Sequence, residues 1–182
     1  MIPRQRTSTL PKRLRQSPAV ALLGSTCSKA CISFVRSHRG RSTRVSDWSK
    51  APKFYWRDSG ILHTLAGLHN LEQVLRHPIC GASWEGYCIE QILGRLPKGT
   101  NTSHYRTHAG AEVDLVIEKA DSEILAAEIK RMLSPKLTPG LVGSMETLTA
   151  DRGVIVISEG ESYPLSKTVT ATGLLSFLKI IS

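Results

Sequence analysis

GAEVDLVIEKADSEILAAEIKR, residues Gly110–Arg131, reads as two strands joined by a turn. Glu112, Asp114, Val116 and Glu118 alternate with Val113, Leu115 and Ile117. After the polar Lys119–Glu123 the alternation resumes, with Leu125, Ala127 and Ile129 on one face and Glu128 and Lys130 on the other. Period two in each arm argues for strands, and the short connection argues for a hairpin. Pairing Glu118 with Ile124 across the turn sets Asp114 opposite Glu128 and Glu112 opposite Lys130. Side chains so placed have Cβ atoms ~5 Å apart, and two like charges there are destabilising. A divalent cation between the two carboxylates is the economical remedy. A half-solvated hairpin with ordinary surface acids would carry the same pattern.

Asp114 followed by Glu128-Ile129-Lys130 on the next strand resembles the active-site signature of the PD-(D/E)XK, or restriction-endonuclease-like, nuclease superfamily. The resemblance implies that Asp114, Glu128 and the carbonyl of Ile129 ligate Mg²⁺. It also implies that Lys130 positions or activates the attacking water and stabilises charge on the phosphate. Magnesium suits such a donor set, because it prefers oxygen and commonly takes one or two carboxylates plus waters and phosphate oxygens. Bound there, it acts as a Lewis acid and lowers the pKa of a water. Val113 stands where the superfamily pattern has Pro before the Asp.

Length allows one domain with a real core and a tail. The formal charge of +9 is unevenly spread. The first fifty residues carry eleven Lys and Arg against Asp47 alone, whereas the remainder carries thirteen against fourteen acids, so the body is nearly neutral. No apolar run approaches the ~20 residues of a membrane span. Cys27, Cys31, Cys80 and Cys88 show no paired CxxC spacing, which favours free thiols in a reducing, cytoplasmic setting.

Residues 1–48 read as a basic, Ser-rich, largely flexible segment. Its opening, Met1-Ile2-Pro3-Arg4 followed by Ser17-Pro18-Ala19-Val20-Ala21-Leu22-Leu23-Gly24, resembles the start of bacterial AAA-superfamily ATPases. A working phosphate loop needs G-x4-G-K-[ST], so that amides cradle phosphate and a hydroxyl reaches Mg²⁺. Gly24-Ser25-Thr26-Cys27-Ser28-Lys29-Ala30 is one residue short and lacks the second Gly and the hydroxyl, so ATP binding is not expected. Ile32–Ser46, with Arg39-Gly40-Arg41-Ser42, reads as a solvated linker. Its arginines could also give salt-sensitive phosphate contacts.

From Asp47 onward the character changes. Ala51–Leu62 reads as a short strand, a turn and a helix, with Asp58 or Ser59 as N-cap. A second short helix starts at Asn70, with Leu71, Val74 and Leu75 as its stripe. His63, His69 and His77 share no helical face and suit surface or cap roles. Pro78–Leu93 reads as a helix that is apolar almost all round, on which Glu85 shares a stripe with Ile89, Ile92 and Leu93. A carboxylate on a buried stripe is costly unless paired or bound to metal. By resemblance to the nuclease superfamily, whose early helix often adds an acid, Glu85 joins the candidate site; bordering the buried stripe is the other reading.

Residues 49–182 as a series resemble the C-terminal domain of unknown function attached to the same ATPases. The matching pieces are Lys53–Leu62 with Asp58-Ser59-Gly60, His77-Pro78…Gly81-Ala82…Trp84-Glu85, Tyr105-Arg106-Thr107, and Gly110-Ala111-Glu112-Val113-Asp114. Gly86 departs from the Asn usual after that Glu. The chain thus reads as a truncated or internally deleted relative. The expected fold is α/β, a restriction-endonuclease-like core with a central mixed sheet flanked by helices. Ser134–Ala150 supplies a loop and helix with Leu141, Met145 and Leu148 inward. Arg152–Ser158 supplies a buried strand, and Thr172–Ile180 a closing helix. Tyr105-Arg106-Thr107 is placed beside the hairpin, with Arg106 near the carboxylates. The expected function is a Mg²⁺-dependent, DNA-acting nuclease-like module built on Asp114, Glu128, Lys130 and Glu85. The alternative is a catalytically silent interaction or scaffold domain with a protein partner.

Overall fold

The computed structural model describes residues 53–107 and 110–181 together with the backbone of 32–37. Residues 24–30, read in the sequence against a phosphate loop, together with Cys27, Cys31 and residues 39–42, lie outside the described residues. In chain order the described elements are β1 (Ile32–Ser37), β2 (Lys53–Trp56), α1 (Ser59–Leu65), α2 (Leu71–Arg76), α3 (Cys80–Leu93), β3 (Asn101–Arg106), β4 (Glu112–Glu118) and β5 (Ile124–Ile129). They continue with α4 (Pro139–Leu148), β6 (Arg152–Ile157), β7 (Tyr163–Pro164), β8 (Val169–Gly173) and α5 (Leu174–Ile181). The strands form one mixed sheet in the order β2-β1-β3-β4-β5-β6-β8-β7.

The β4–β5 hairpin stands where its alternation predicts, with Glu118 paired to Ile124 and Leu115 to Ala127. Its turn closes through Lys119 N–H to Glu123 C=O, 3.0 Å, and Ser122 takes a positive φ of 69°. Parallel pairing then carries the sheet from β5 to β6 to β8. Helices cover both faces. On one, Cys88, Ile89 and Ile92 of α3 and Leu174, Phe177 and Leu178 of α5 pack on Leu115, Ile117, Leu125, Ala127 and Ile129. On the other, Leu141, Met145 and Leu148 of α4 pack on Val113, Val116, Ala126, Ile155 and Ile157. Each fully buried Leu or Ile there contributes roughly 1.5–3 kcal/mol.

Three helix starts follow from their capping residues. The Asp58 carboxylate accepts from Gly60 N–H at 2.7 Å, Asn70 accepts from Gln73 N–H at 2.9 Å, and Thr138 Oγ1 accepts from Leu141 N–H at 3.3 Å. Such caps satisfy donors that the first turn leaves without intrahelical partners.

Several expectations are corrected. Ile32–Ser37, read as part of a linker, is strand β1, antiparallel to β2 and parallel to β3. The α2 stripe is not buried: Leu71 is 70% and Leu75 47% exposed, because a helix this short reaches α3 without settling on the core. Thr172 and Gly173 end a strand rather than open the closing helix, which begins at Leu174 and leaves Leu175 exposed. The alternation of β4 is interrupted. Ser103 faces Val116 and Tyr105 faces Val113, so His104 alone stands opposite both Asp114 and Leu115. This bulge explains why Val113 and Val116, three positions apart, lie in the same core layer.

A Cβ added at Gly173 would lie 2.6 Å from the carbonyl oxygen and 2.9 Å from the nitrogen of Gly160, both backbone atoms. Gly173→Ala is therefore expected to destabilise the fold by about 1–3 kcal/mol through overpacking, measured by urea denaturation. Stability equal to wild type would show that this close approach is not tight in solution.

Candidate functional site

Asp114 occupies the bulge, and the slip turns Glu112 and Asp114 toward the α3 side of the sheet, where Tyr55 and Glu85 lie. The Asp114 Oδ2 accepts the buried Ile129 N–H at 2.9 Å, so a side chain replaces a carbonyl in the ladder between β4 and β5. Its Oδ1 lies 3.0 Å from Lys53 Nζ. Glu85 Oε1, one helical turn before Ile89, accepts from the same Nζ at 2.9 Å and from the Tyr55 hydroxyl at 2.5 Å. Glu112 also pairs with Lys53, and Arg106 Nε stands 3.6 Å from the other Glu112 oxygen. One ammonium thus holds carboxylates from α3, from the first residue of β4 and from its bulge. Carboxylate oxygens of Glu85, Glu112 and Asp114 all lie within 4.8 Å of one another.

The electrostatics follow from that crowding. Burial would push the Lys53 ammonium down, but Asp114, Tyr55, Glu85 and Glu112 outweigh it and hold the group above the ordinary lysine range. A folded value above the unfolded one means that its stabilisation is fully present below the unfolded value near 10.5. It is lost only as pH rises through the folded value, so Lys53 stays charged across neutral pH. Burial, followed by the Asp114 charge, raises Glu85 above the usual carboxylate range, against the opposing pull of Lys53 and the Tyr55 hydroxyl. Burial also pushes the Tyr55 hydroxyl up, reinforced by Glu85, so Tyr55 remains a donor.

Glu128 stands outside the group of three. It is buried, and its Oε1 pairs with Lys130 Nζ at 2.7 Å. Its Oε2 is buried without a hydrogen-bond partner. Burial would lower Lys130, yet the Glu128 hydrogen bond and charge, with the fields of Asp114 and Glu85, raise it. The expected pairing of Glu112 with Lys130 does not occur, since Glu112 turns to Lys53 and Arg106 while Lys130 turns to Glu128. Of the residues singled out in the sequence, Asp114 and Glu85 converge, Glu128 and Lys130 form a neighbouring pair, and Ile129 binds Asp114 through its N–H. Two of the histidines singled out in the sequence have local partners. His63 Nε2 shares a hydrogen bond with Ser83, and His77 Nδ1 accepts from Ile79 N–H. Lys53 and Tyr55 were missed as site residues. Their period-two placement on β2 was visible, but nothing in that short strand indicated which acids it would meet.

The Tyr55 hydroxyl makes a charge-assisted bond in a half-buried setting, of the kind typically worth about 1.5–3 kcal/mol. Tyr55→Phe is expected to lower stability by about 2 kcal/mol in chemical denaturation. An unchanged midpoint and slope would remove Tyr55 from the account of the cluster.

Among known proteins, residues 80–177 match the family described as a domain of unknown function (DUF4143). An uncharacterized protein of Mycobacterium bovis and one of Mycobacterium tuberculosis are each 37% identical over 123 residues, covering 67% of this chain. That match covers 27% of either relative, so the chain spans little more than a quarter of their length. No solved structure matches significantly. The matched interval holds Glu85, Glu112, Asp114, Glu128 and Lys130, while Lys53 and Tyr55 precede it. Since the family match takes in more than half of its residues, the chain belongs to the DUF4143 family.

Proposed function

We propose that this chain carries a divalent-cation-dependent phosphodiesterase module of the PD-(D/E)XK kind, acting on DNA. The observation that carries the reading is the convergence of Glu85, Glu112 and Asp114 on a single cation, beside the Glu128–Lys130 pair. The donor set fits Mg²⁺. It consists of hard carboxylate oxygens, an ammonium already stands among them, and Glu128 Oε2 is a buried acceptor still without a donor. Asp114, Glu85 and Glu112, whose oxygens already lie together, would hold the ion, and by the superfamily resemblance Glu128 and the Ile129 carbonyl would complete its coordination. Bound there, Mg²⁺ would supply Lewis-acid polarisation of a phosphate oxygen and a water of lowered pKa.

The remaining work falls to the protein's own groups. The Ile129 N–H fixes the Asp114 carboxylate in place. Lys130 stays charged and offers its ammonium to a phosphate oxygen or to the attacking water. Arg106, half-exposed beside Glu112, is placed to meet the adjoining phosphate. The nearly neutral body implies weak duplex affinity, since strong DNA binders usually present a basic face.

A second reading is favoured by Lys53 itself. Its ammonium already compensates the clustered charge, so the same arrangement can serve a catalytically silent interaction domain that contacts a protein. In either case the module would act in the cytoplasm, and its derivation from an AAA-type ATPase is part of the proposal.

Supercoiled, linear and branched DNA incubated with Mg²⁺ or Mn²⁺ separates the two. The nuclease reading expects nicked or shortened products that Asp114→Asn and Lys130→Met each reduce by about a hundredfold or more. Products unchanged by both substitutions, or none from wild type with either ion, would favour the silent domain.

A further inference from the structure

Lys53 is the first residue of β2, at the edge of the sheet order, yet its Nζ is the point on which the candidate site closes. It lies 2.9 Å from Glu85, 3.0 Å from Asp114, and pairs with Glu112 as well. Three carboxylates this close repel one another unless a positive charge stands between them. The ammonium provides that charge in the absence of any ion.

We propose that Lys53 is a resident counter-ion at the position a divalent cation would take, and that metal entry displaces it. The inference rests on the metal-dependent reading above and concerns how that site is regulated. A divalent ion bound by Glu85 and Asp114 would sit at roughly 2.0–2.1 Å from their oxygens. The atoms it would use are the ones that Nζ now contacts. Two positive charges cannot share so small a space without strong repulsion. Withdrawal is feasible, because a lysine ammonium rides on a flexible four-carbon stem and Lys53 keeps a fifth of its side chain exposed. Lys53 is therefore a positioning residue with two opposed effects. It keeps the carboxylates gathered when metal is absent, and it competes with metal for them.

Titration calorimetry on the full chain, with Mn²⁺ alone as probe, tests this in wild type, Lys53→Met and Lys53→Arg. Lys53→Met is expected to bind Mn²⁺ at least about tenfold more tightly than wild type, since a competing charge is gone. Its melting midpoint should be lower than wild type in chelator and should recover with saturating Mn²⁺. Lys53→Arg, which keeps the charge, should gain no affinity. Wild type binding as tightly as Lys53→Met would overturn the displacement while leaving the metal site standing. Binding in none of the three would overturn the metal-dependent reading and this inference with it. If Lys53→Met does not fold, a crystal structure of wild type grown with Mn²⁺ decides. An anomalous peak among the three carboxylates with Nζ moved out of hydrogen-bonding reach of Asp114 supports the proposal. Nζ remaining in place, with or without a peak elsewhere, overturns it.

Discussion

Three carboxylates gathered at one point of a fold repel one another, and here the compensating charge is the ammonium of Lys53. Its contacts join the edge strand β2 to α3 and to the centre of the sheet at β4. The arrangement depends on one backbone irregularity. With unbroken alternation, Asp114 would share the side of Val116, which packs beneath α4. The extra residue in β4 instead brings Asp114 round to the side of Leu115, facing α3 and Glu85. Bulges often re-aim a side chain near a functional site at the expense of regular pairing. The lost ladder contact is partly recovered when the Asp114 carboxylate accepts the Ile129 N–H.

How far the sequence foretold this differs from element to element. The hairpin, its turn and its register from Leu115 to Glu118 were legible because period two and a polar turn are local signals. The expected meeting of Asp114 with Glu128 was lost to the bulge. The caps at Asp58, Asn70 and Thr138 have the same local character, although only the first two stand out in the sequence as helix starts. The bulge was hidden, because Val-Asp-Leu-Val looks the same whether one residue or two face His104. Strand β8 was hidden too, since Val169–Gly173 runs directly into an apolar helix with no turn residues between them. The exposure of α2 reflects tertiary position, which an apolar stripe cannot report. Lys53 was legible only as a residue on a short strand. Its role arises from partners 32 and 61 positions away in the chain, a separation that no local pattern encodes.

The chemistry of the cluster is poised between two uses. On the metal-dependent reading proposed above, its oxygen donors and the buried Glu128 Oε2 would serve a hard cation. Its resident ammonium suits a stable fold without one. Buried ion pairs contribute little net stability when desolvation is counted, yet removing one partner is costly, because the other charge is left uncompensated in a poor solvent. Sequence change at Lys53 would thus be resisted whether or not the domain is an enzyme. Lys130 also sits in the field of both Asp114 and Glu85, and its ammonium is more exposed than that of Lys53.

The central claim is that Lys53 and Asp114 act as one unit. A thermodynamic cycle of Lys53→Met, Asp114→Asn and the double substitution, measured by urea denaturation in chelator, tests it most directly. The account predicts a coupling of about 1–3 kcal/mol, with the second substitution costing much less once the first is present. Effects that add to within about 0.5 kcal/mol would contradict it.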